Sequence, residues 1–411
     1  MQLKTKYQYT YFIYPYVIEE INYEKYIYNM LKNKKAKLKM FDKEKDLDLV
    51  SYFLPEIKEK MFWSLDLDKK TIKNNEKIDL KMKSRLLSHK YCTFFEYSLD
   101  EDIPGKIGED NGIFFDINKV EIVCFNTGIC FLIMKTVLNS SADFSDVLNF
   151  NYKFRDIQTN TKQIDNIKIQ TNKLNNMEQY KDFLKEIVGL NIEANKINLD
   201  KDRLITYTYT CLDQNSWNDN TDIKIIEKEF AKYYNVKPAG EQINDNLKNE
   251  DSVYKEKNIY YGFSNNVTAL LTNDANINNF TNLLFKFENI EIYHFIYHLH
   301  QKIVLKKFNY ELKQTKKFEK IKNRFINFTK INWIYDVTND PKGVIIDKYY
   351  RKYQQLDETF ERLKIKYDLL YKEYEIEKTN KQHKWIIAII GGIIILNLVK
   401  VSINFISNII E

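Results

Sequence analysis

The residues from Trp385 to about Ile410 constrain this 411-residue chain more than any other segment. Between Trp385 and Val399 the sequence WIIAIIGGIIILNLV has no charged side chain, whereas charged residues make up 29% of the whole chain. A helix needs about 20 residues to cross the hydrocarbon core of a bilayer. A full crossing must therefore continue through Lys400 into VSINFISNII, and two crossings do not fit. The sequence predicts one transmembrane helix within residues 385–411.

The charges beside this segment predict its orientation. Lys378, Lys381 and Lys384 precede it, whereas only Lys400 and Glu411 carry charge within or after it. Because positively charged flanks stay on the cytoplasmic side of a membrane, the N-terminal bulk is predicted to be cytoplasmic. The N-terminal residues lack the pattern of a signal peptide, which agrees with that orientation. The expected location is the cell membrane, with a single crossing.

The second half of the predicted helix is polar along one side. At about 100° per residue, a single arc of about 100° contains Asn397, Lys400, Asn404, Ser407 and Asn408, and the same side begins with Ile386, Ile389, Ile390 and Ile393. In a bundle of copies this side would line a wettable lumen, with the isoleucines as a hydrophobic constriction. Alternatively, the asparagines join helices while Lys400 extends to the far interface, or the helix is a plain anchor. The predicted pore-lining residues are Ile386, Ile390, Ile393, Asn397, Lys400, Asn404 and Asn408.

Residues 1–276 have the pattern of an α/β domain with a mixed sheet. Runs rich in Tyr, Phe, Ile, Val and Thr, bounded by Asn, Asp and Gly, predict strands, and segments of helical periodicity lie between them. The predicted strands are Tyr9–Ile18, Tyr91–Tyr97, Gly112–Ile117, Glu121–Asn126, Ile129–Val137, Leu204–Cys211 and Ile259–Ser264, with a hairpin turning at Asn126-Thr127-Gly128. The predicted helices are Glu20–Lys32, Asp143–Arg155, Met177–Val188 and Thr221–Tyr234, the second capped by Asp143 or Ser145.

The next segment, 277–342, is predicted to be a basic helical region, with one long helix or two over 277–337. Residues 302–330 carry ten Lys or Arg against two Glu. Their apolar residues suit an amphipathic helix whose basic face is either simply solvated or binds an anionic ligand or the membrane surface. The candidate ligand-binding residues here are Lys306, Lys313, Lys317 and Arg324.

Asn151 and Arg155 are two further candidates, at the end of the predicted helix 143–155. They suit either a buried polar network that joins sheet and helix or part of a ligand pocket.

Residues 343–384 predict a stalk. After the break at Asn339-Asp340-Pro341-Lys342-Gly343, apolar residues recur at alternating steps of three and four from Ile346 to Tyr374. Such a helix either packs on its own domain or associates with copies of itself, and its continuity with the membrane segment favours a homo-oligomer. The predicted fold is thus a cytoplasmic α/β domain, long helices with a coiled-coil-like stalk, and a C-terminal transmembrane helix.

The sequence gives little sign of an enzyme. GxxxxGK[ST], GxGxxG and GxSxG motifs are absent, and the four cysteines show no CxxC pair, as expected of reduced cytosolic thiols. His294 and His298 stand four residues apart, with His300 nearby, but no third ligand is evident. Packed or surface histidines are therefore expected, with neither metal nor cofactor. The net charge of +6 is too mild to predict direct binding of DNA or RNA.

Two stretches carry a resemblance to a known family. They are FNTGICFLIMKTVLNSSADFSDVLNFNYKFRDI and FINFTKINWIYDVTNDPKGVIIDKYYRKYQQLDETFERL, the latter leading into the terminal apolar helix. Together they resemble divergent CorA-like membrane proteins, which join a cytoplasmic α/β domain through a long stalk helix to a C-terminal membrane region. The Gly-Met-Asn signature of CorA transporters is absent, Gly391-Gly392 does not replace it, and one crossing stands where the transporters have two.

The resemblance implies a function. Some CorA-like proteins without the signature resemble effectors of type III CRISPR antiviral defence, in which a nucleotide second messenger binds the cytoplasmic part and the membrane part disrupts the cell's barrier. The leading hypothesis is therefore a homo-oligomeric membrane effector or channel whose cytoplasmic domain senses a ligand. The alternatives are a membrane-tethered binding or scaffold protein without conduction and, less favoured without the signature, a divalent cation transporter.

Overall fold

The computed structural model describes residues 3–67, 78–99, 101–108, 112–139, 143–156, 167–170, 177–179, 186–187, 203–242, 250–313 and 318–410. The chain forms two compact units. The first contains Met1–Lys307 and Ile331–Leu356, and the second contains Phe308–Lys330 and Asp357–Glu411.

The first unit is built on one 12-stranded sheet. Its strands are β1 Thr5–Val17, β2 Ala36–Lys39, β3 Cys92–Tyr97, β4 Ile103–Ile107, β5 Ile113–Phe125, β6 Ile129–Leu138, β7 Ile167–Gln170, β8 Met177–Gln179, β9 Ile205–Leu212, β10 Val253–Glu256, β11 Ile259–Ser264 and β12 Val267–Asn273. The main path runs β10-β11-β12-β9-β1-β6-β5-β4-β7-β8, while β3 pairs with β5 and β2 with β3. The pair β9–β12 is parallel and the neighbouring pairs β1–β9 and β11–β12 are antiparallel, so the mixed sheet is confirmed.

The central hairpin β5–β6 turns where the sequence predicts. Gly128 has φ +79°, in the left-handed region where glycine pays no steric penalty. The two strands predicted at Gly112–Ile117 and Glu121–Asn126 are instead one strand, because a bulge between Ile117 and Lys119 absorbs the polar residues without ending the pairing.

The helices of the first unit are α1 Glu20–Lys32, α2 Leu47–Tyr52, α3 Pro55–Met61, α4 Leu80–Ser88, α5 Phe144–Phe154, α6 Ile223–Asn235, α7 Ile277–Phe280 and α8 Asn282–Lys286, followed by α9 Ile292–Glu311 and α11 Pro341–Tyr353. A π-helical turn, Phe287–Glu291, leads into α9, and α9 extends into the second unit. Asp143 is the N-cap of α5, and its backbone N–H donates to the Asp146 carboxylate at 2.9 Å, so the predicted cap is confirmed.

The predicted helix Met177–Val188 is wrong at its start. Met177–Gln179 forms β8, which pairs with β7 at the edge of the sheet. Backbone pairing with a neighbouring strand overrides the local helical pattern there. Residues 180–185 and Val188 lie outside the described residues.

Both faces of the sheet are covered. On one face, Phe12, Tyr14 and Tyr16 join a core with residues of α1, α5 and α6. On the other face, Tyr11 of β1 donates to Glu288 of the π-helical turn at 3.2 Å. Tyr207 of β9 stacks on Phe287 of that turn, with ring centroids 4.1 Å apart, and packs against Phe295 of α9. The period-2 alternation of β1 therefore serves two apolar layers, which explains why its residues are buried almost without interruption.

The predicted stalk segment is two helices. α11 ends at Tyr353, Gln355 adopts φ +54°, and α12 begins at Leu356 and runs to Ile410. A non-glycine residue in the left-handed region marks a turn, so one continuous rod from 343 to 384 is not what forms.

The second unit contains α10, Phe318–Asn327, the π-helical turn Phe328–Asn332 up to Lys330, and most of α12. Phe325 packs its ring against Tyr367 (centroids 4.7 Å apart) and Phe318 packs against Tyr374 (5.4 Å). The apolar residues that recur at steps of three and four form the heptad face, and part of this face is thus buried within the chain. The eight apolar residues expected on one face of 302–330 are all buried: Ile303, Leu305, Phe308, Leu312, Phe318, Ile321, Phe325 and Phe328.

Candidate functional site

The apolar segment of α12 is uncovered. Eleven of its large apolar side chains between Trp385 and Val399 are half exposed or more, and no residue of its most apolar stretch is buried. By length and composition this helix could cross a membrane. Some core helices of soluble proteins are equally long and apolar, but those helices are mostly buried, and this segment is not.

The predicted pore-lining residues share this exposed helix. Ile386, Ile390 and Ile393 are each about half exposed, and Asn397 and Lys400 are also exposed. Asn404 and Asn408 lie in the helical backbone of α12, but their side chains are outside the described residues. A lumen needs several copies, so the pore-lining role stays a prediction.

The basic candidates differ in their surroundings. Arg324 forms an ion pair with Glu311, in which the single nitrogen Nη2 donates to both carboxylate oxygens at 3.0 and 2.9 Å. Lys306 and Lys313 are exposed, and Lys317 lies outside the described residues. Arg324 is therefore already engaged within the second unit.

Two other lysines of the basic run point inward. The Nζ of Lys302 donates to the Asn265 carbonyl at 2.7 Å and to its Oδ1 at 2.6 Å, and Lys307 donates to the Thr127 carbonyl at 2.6 Å. Burial lowers the pKa of Lys302 to about 7. These two residues hold loops of the first unit, so part of the apparent basic face is structural.

Asn151 belongs to a buried network. Thr10 donates to its Oδ1 at 2.9 Å, and its Nδ2 donates to Thr208 Oγ1 at 3.2 Å. The network continues from Thr208 to the Tyr233 hydroxyl at 2.7 Å, joining two strands to α5 and α6. Arg155 instead lies 3.7 Å from the Asp156 carboxylate. The backbone N–H of Arg155 also donates to the Asn151 carbonyl, at 3.4 Å. Asn151 therefore has the geometry of a structural residue.

A polar cleft of about 540 Å³ lies elsewhere on the first unit. It is lined mainly by asparagines and other polar residues near Trp217 and Ile259, and none of the six predicted ligand-binding residues lines it.

A buried cluster of titratable side chains joins three helices of the first unit. His294 and His298 occupy successive turns of α9, and their Nε2 atoms both lie 2.7 Å from Oδ1 of Asp347 on α11. Both histidine side chains are fully buried, and the Asp347 side chain is 12% exposed. On their other sides, His294 Nδ1 lies 2.9 Å from the Tyr52 hydroxyl of α2, and His298 Nδ1 lies 3.1 Å from Gln301 Oε1.

The pKa values of His294 and Asp347 are both shifted below their ordinary values. Burial lowers the pKa of His294, although the Asp347 carboxylate opposes that shift. Burial would raise the pKa of Asp347, but the two histidines outweigh it and hold that pKa well below its ordinary value. The carboxylate is therefore ionised, and its Oδ1 faces the Nε2 atoms of both imidazole rings.

Sequence reasoning found the histidine pair and missed Asp347. The buried side of α11 follows helical spacing through Gly343, Ile346, Asp347, Tyr350, Arg351 and Gln354. A carboxylate at helical spacing with Gly343, Ile346 and Tyr350 signals a buried partner. The heptad register chosen from the sequence instead placed Asp347 off the seam. His300, two residues beyond the pair, points elsewhere and stacks on Phe125 with ring centroids 3.8 Å apart.

The fold and the exposed helix define a class: a mixed α/β unit joined to a C-terminal helix apolar enough to cross a membrane. Among known proteins, no family model matches the chain, and no curated protein gives a significant match.

Proposed function

We propose that this chain is a single-pass membrane protein whose copies associate through the C-terminal helix, and that its α/β unit senses a ligand on the cytoplasmic side and controls a pore. The observation that carries the proposal is the exposed apolar surface of α12 between Trp385 and Val399. Transfer of these eleven large apolar side chains, each at least half exposed, out of water would be favourable by on the order of 15 kcal/mol.

A bilayer is the environment that matches the length of this surface. At 1.5 Å per residue, the helix from Trp385 to Ile410 is about 39 Å long, and a hydrocarbon core is about 30 Å thick. Trp385 then lies at one headgroup interface, and the lysines at 378, 381 and 384 favour the cytoplasm for everything before it.

The polar side of the helix supports self-association. A lone Lys400 facing lipid costs about 2.5–3.5 kcal/mol near the centre of the membrane, and less where it reaches an interface. A bundle that turns Asn397 and Lys400 toward a shared lumen removes that cost. The isoleucines at 386, 390 and 393 would then form the narrow apolar part, which opens and closes by wetting.

The nature of the ligand follows from the resemblance to CorA-like effectors and from charge. Lys306 and Lys313 are exposed basic residues, which suit an anionic molecule such as a nucleotide second messenger. In that role the protein belongs to antiviral defence at the cell membrane, with itself, the bilayer and the messenger as its partners.

Cysteine crosslinking tests the arrangement of the helices. In a bundle with the polar side inward, Ile393→Cys brings copies together at the axis, whereas Ile395→Cys, about 200° further round the helix, faces outward. We expect bilayer-reconstituted full-length protein to crosslink into oligomers at the first position and not at the second. A monomer in bilayers at both positions would rule out the bundle.

Ion leak from liposomes tests conduction. Asn404→Leu combined with Lys400→Leu removes the polar side and should abolish leak that is triggered by added nucleotides. Ser402→Leu is the matched control, because Ser402 lies off the polar side and bonds the Leu398 carbonyl of its own helix. Unchanged leak in the double variant contradicts the pore-lining assignment.

One observation favours a second candidate, a membrane-tethered binding protein without conduction. Phe360, Leu363 and Tyr367 of the heptad are buried within their own chain, so this face of α12 offers no free seam to another copy. Crosslinking separates the two functions, because a tether needs no oligomer.

A further inference from the structure

We propose that His294, His298 and Asp347 form a binding site for a divalent transition-metal ion, with Zn²⁺ the best match. Two imidazole nitrogens and one carboxylate oxygen are ordinary zinc ligands. Their three ligand atoms all lie within 4.8 Å of one another. The inference does not depend on whether α12 crosses a membrane.

The spacing is close to that of a bound ion. Zinc binds nitrogen and oxygen at about 2.0–2.2 Å, so tetrahedral ligand atoms lie about 3.3 Å apart. Each Nε2 is 2.7 Å from Asp347 Oδ1, and the group must open by about half an ångström to admit the ion. The carboxylate ligand comes from α11, whereas both histidine ligands come from α9.

The hydrogen bonds of Gln301 orient the His298 ring. The Gln301 amide donates through Nε2 to the Ile334 carbonyl and the Tyr297 hydroxyl, both at 3.2 Å. Its Oε1 therefore faces His298 and can only accept, which places the imidazole proton on Nδ1. The Nε2 of this ring points at Asp347 Oδ1, 2.7 Å away.

An ion placed between His298 Nε2 and Asp347 Oδ1 would be bound by both atoms. His294 Nε2, also 2.7 Å from that oxygen, would be the third ligand of the same ion. The site then contains one carboxylate, two neutral rings and one dication.

The outer partners match those of known metal-binding histidines. A ligating histidine usually donates its other N–H to an oxygen, which fixes the ring and raises its basicity. His298 has Gln301 Oε1 in that position, and His294 has the Tyr52 hydroxyl at 2.9 Å. The Tyr52 hydroxyl oxygen can accept the proton of His294 Nδ1.

The ion would tie α11 to α9. Three protein ligands leave one tetrahedral position for water, and the exposed edge of Asp347 gives the ion a path from solvent. Because α11 is followed after a two-residue turn by α12, the site fixes the helix that immediately precedes the candidate membrane helix in the chain.

Metal binding is tested on full-length protein in detergent, stripped with a chelator and titrated with Zn²⁺ by calorimetry. We expect one ion per chain and a higher thermal unfolding temperature with zinc. Asp347→Asn and His298→Gln should lower affinity more than about 100-fold, since loss of an outer partner alone costs about 10- to 100-fold. Gln301→Leu keeps all three ligands and should show that smaller loss.

Two controls keep the test decisive. His300→Gln changes a buried histidine of the same helix that faces Phe125, and it should bind zinc as the unmodified chain does. Co²⁺ should give the visible absorption of a tetrahedral site in the unmodified chain and lose it in Asp347→Asn. Failure of the unmodified chain to bind either ion at micromolar concentration, or equal binding by Asp347→Asn, would overturn the proposal and leave a purely hydrogen-bonded cluster. If His298→Gln does not fold, Gln301→Leu and Asp347→Asn decide the outcome.

Discussion

Glu291 should make the first unit less stable as pH rises. It is the last residue of the π-helical turn before α9 and is fully buried. Burial raises the pKa of its carboxyl group to about 7, against an ordinary value of 4.5. Lys286 and Lys342 and the Tyr261 hydroxyl oppose this shift, while Asp340 adds to it.

The sign of the effect follows from proton binding. Between pH 4.5 and about 7 the folded chain holds a proton on Glu291 that the unfolded chain has lost. The free energy of unfolding therefore falls as pH rises through this window, and the group's contribution is constant outside it. A difference of roughly 2.5 pKa units corresponds to about 3 kcal/mol.

Glu291→Gln removes the titration and keeps the shape. The amide oxygen can still accept from the Tyr261 hydroxyl, which lies 3.2 Å from the carboxylate. We expect the variant to match the parent chain near pH 4.5 and to exceed its free energy of unfolding by about 3 kcal/mol at pH 8. Denaturant unfolding of the full chain in detergent with a chelator, followed by tryptophan fluorescence, measures this, because Trp217 and Trp333 are buried in the first unit.

Glu227→Gln is the matched control. Glu227 pairs with Lys255 at 2.6 Å, but both side chains are 39% exposed, so the change should cost under about 1 kcal/mol without altering the pH slope. The reasoning is refuted if Glu291→Gln and the parent chain differ by the same amount at pH 4.5 and pH 8.

Two further predictions concern packing. Asn151→Ala should lower the free energy of unfolding by about 1–3 kcal/mol, because it leaves the buried hydroxyls of Thr10 and Thr208 without their Asn151 partner. Denaturant unfolding measures this loss, and an unchanged midpoint would favour the ligand-pocket interpretation of Asn151. Phe325→Ala should cost about 3–5 kcal/mol, with faster amide hydrogen exchange in α10 and around Tyr367, and protection there that depends on protein concentration would instead mean that this face meets another copy.

The sheet was readable from the sequence where strands are rich in aromatic and β-branched residues. β1, β3, β6, β9 and β11 coincide closely with predicted strands. Val267–Asn273 was missed because its central Ala-Leu-Leu has no strong strand preference, and its place beside β9 depends on a parallel crossover that no local pattern reveals.

The histidine cluster shows the limit of local spacing. His294 and His298 lie on one helix face, so their separation of four residues was sufficient to find them. Asp347 comes from 49 residues beyond His298, on another helix. Only the tertiary packing of α11 on α9 brings it there, and the sequence signal was a carboxylate at helical spacing with Ile346 and Tyr350.

The heptad pattern specified a buried face but not the partner that buries it. Within the described part of the second unit, Phe360, Leu363 and Tyr367 are covered by the same chain, whereas Ile365, Leu369 and Ile376 of α12 are each about 60% exposed. A period of 3.5 residues requires only that some apolar surface runs alongside the helix. Contact between copies before Trp385 would therefore have to use the exposed row rather than the heptad seam. The apolar side chains from Trp385 to Val399 are uncovered, so the proposed association of copies would rest chiefly on the candidate membrane helix.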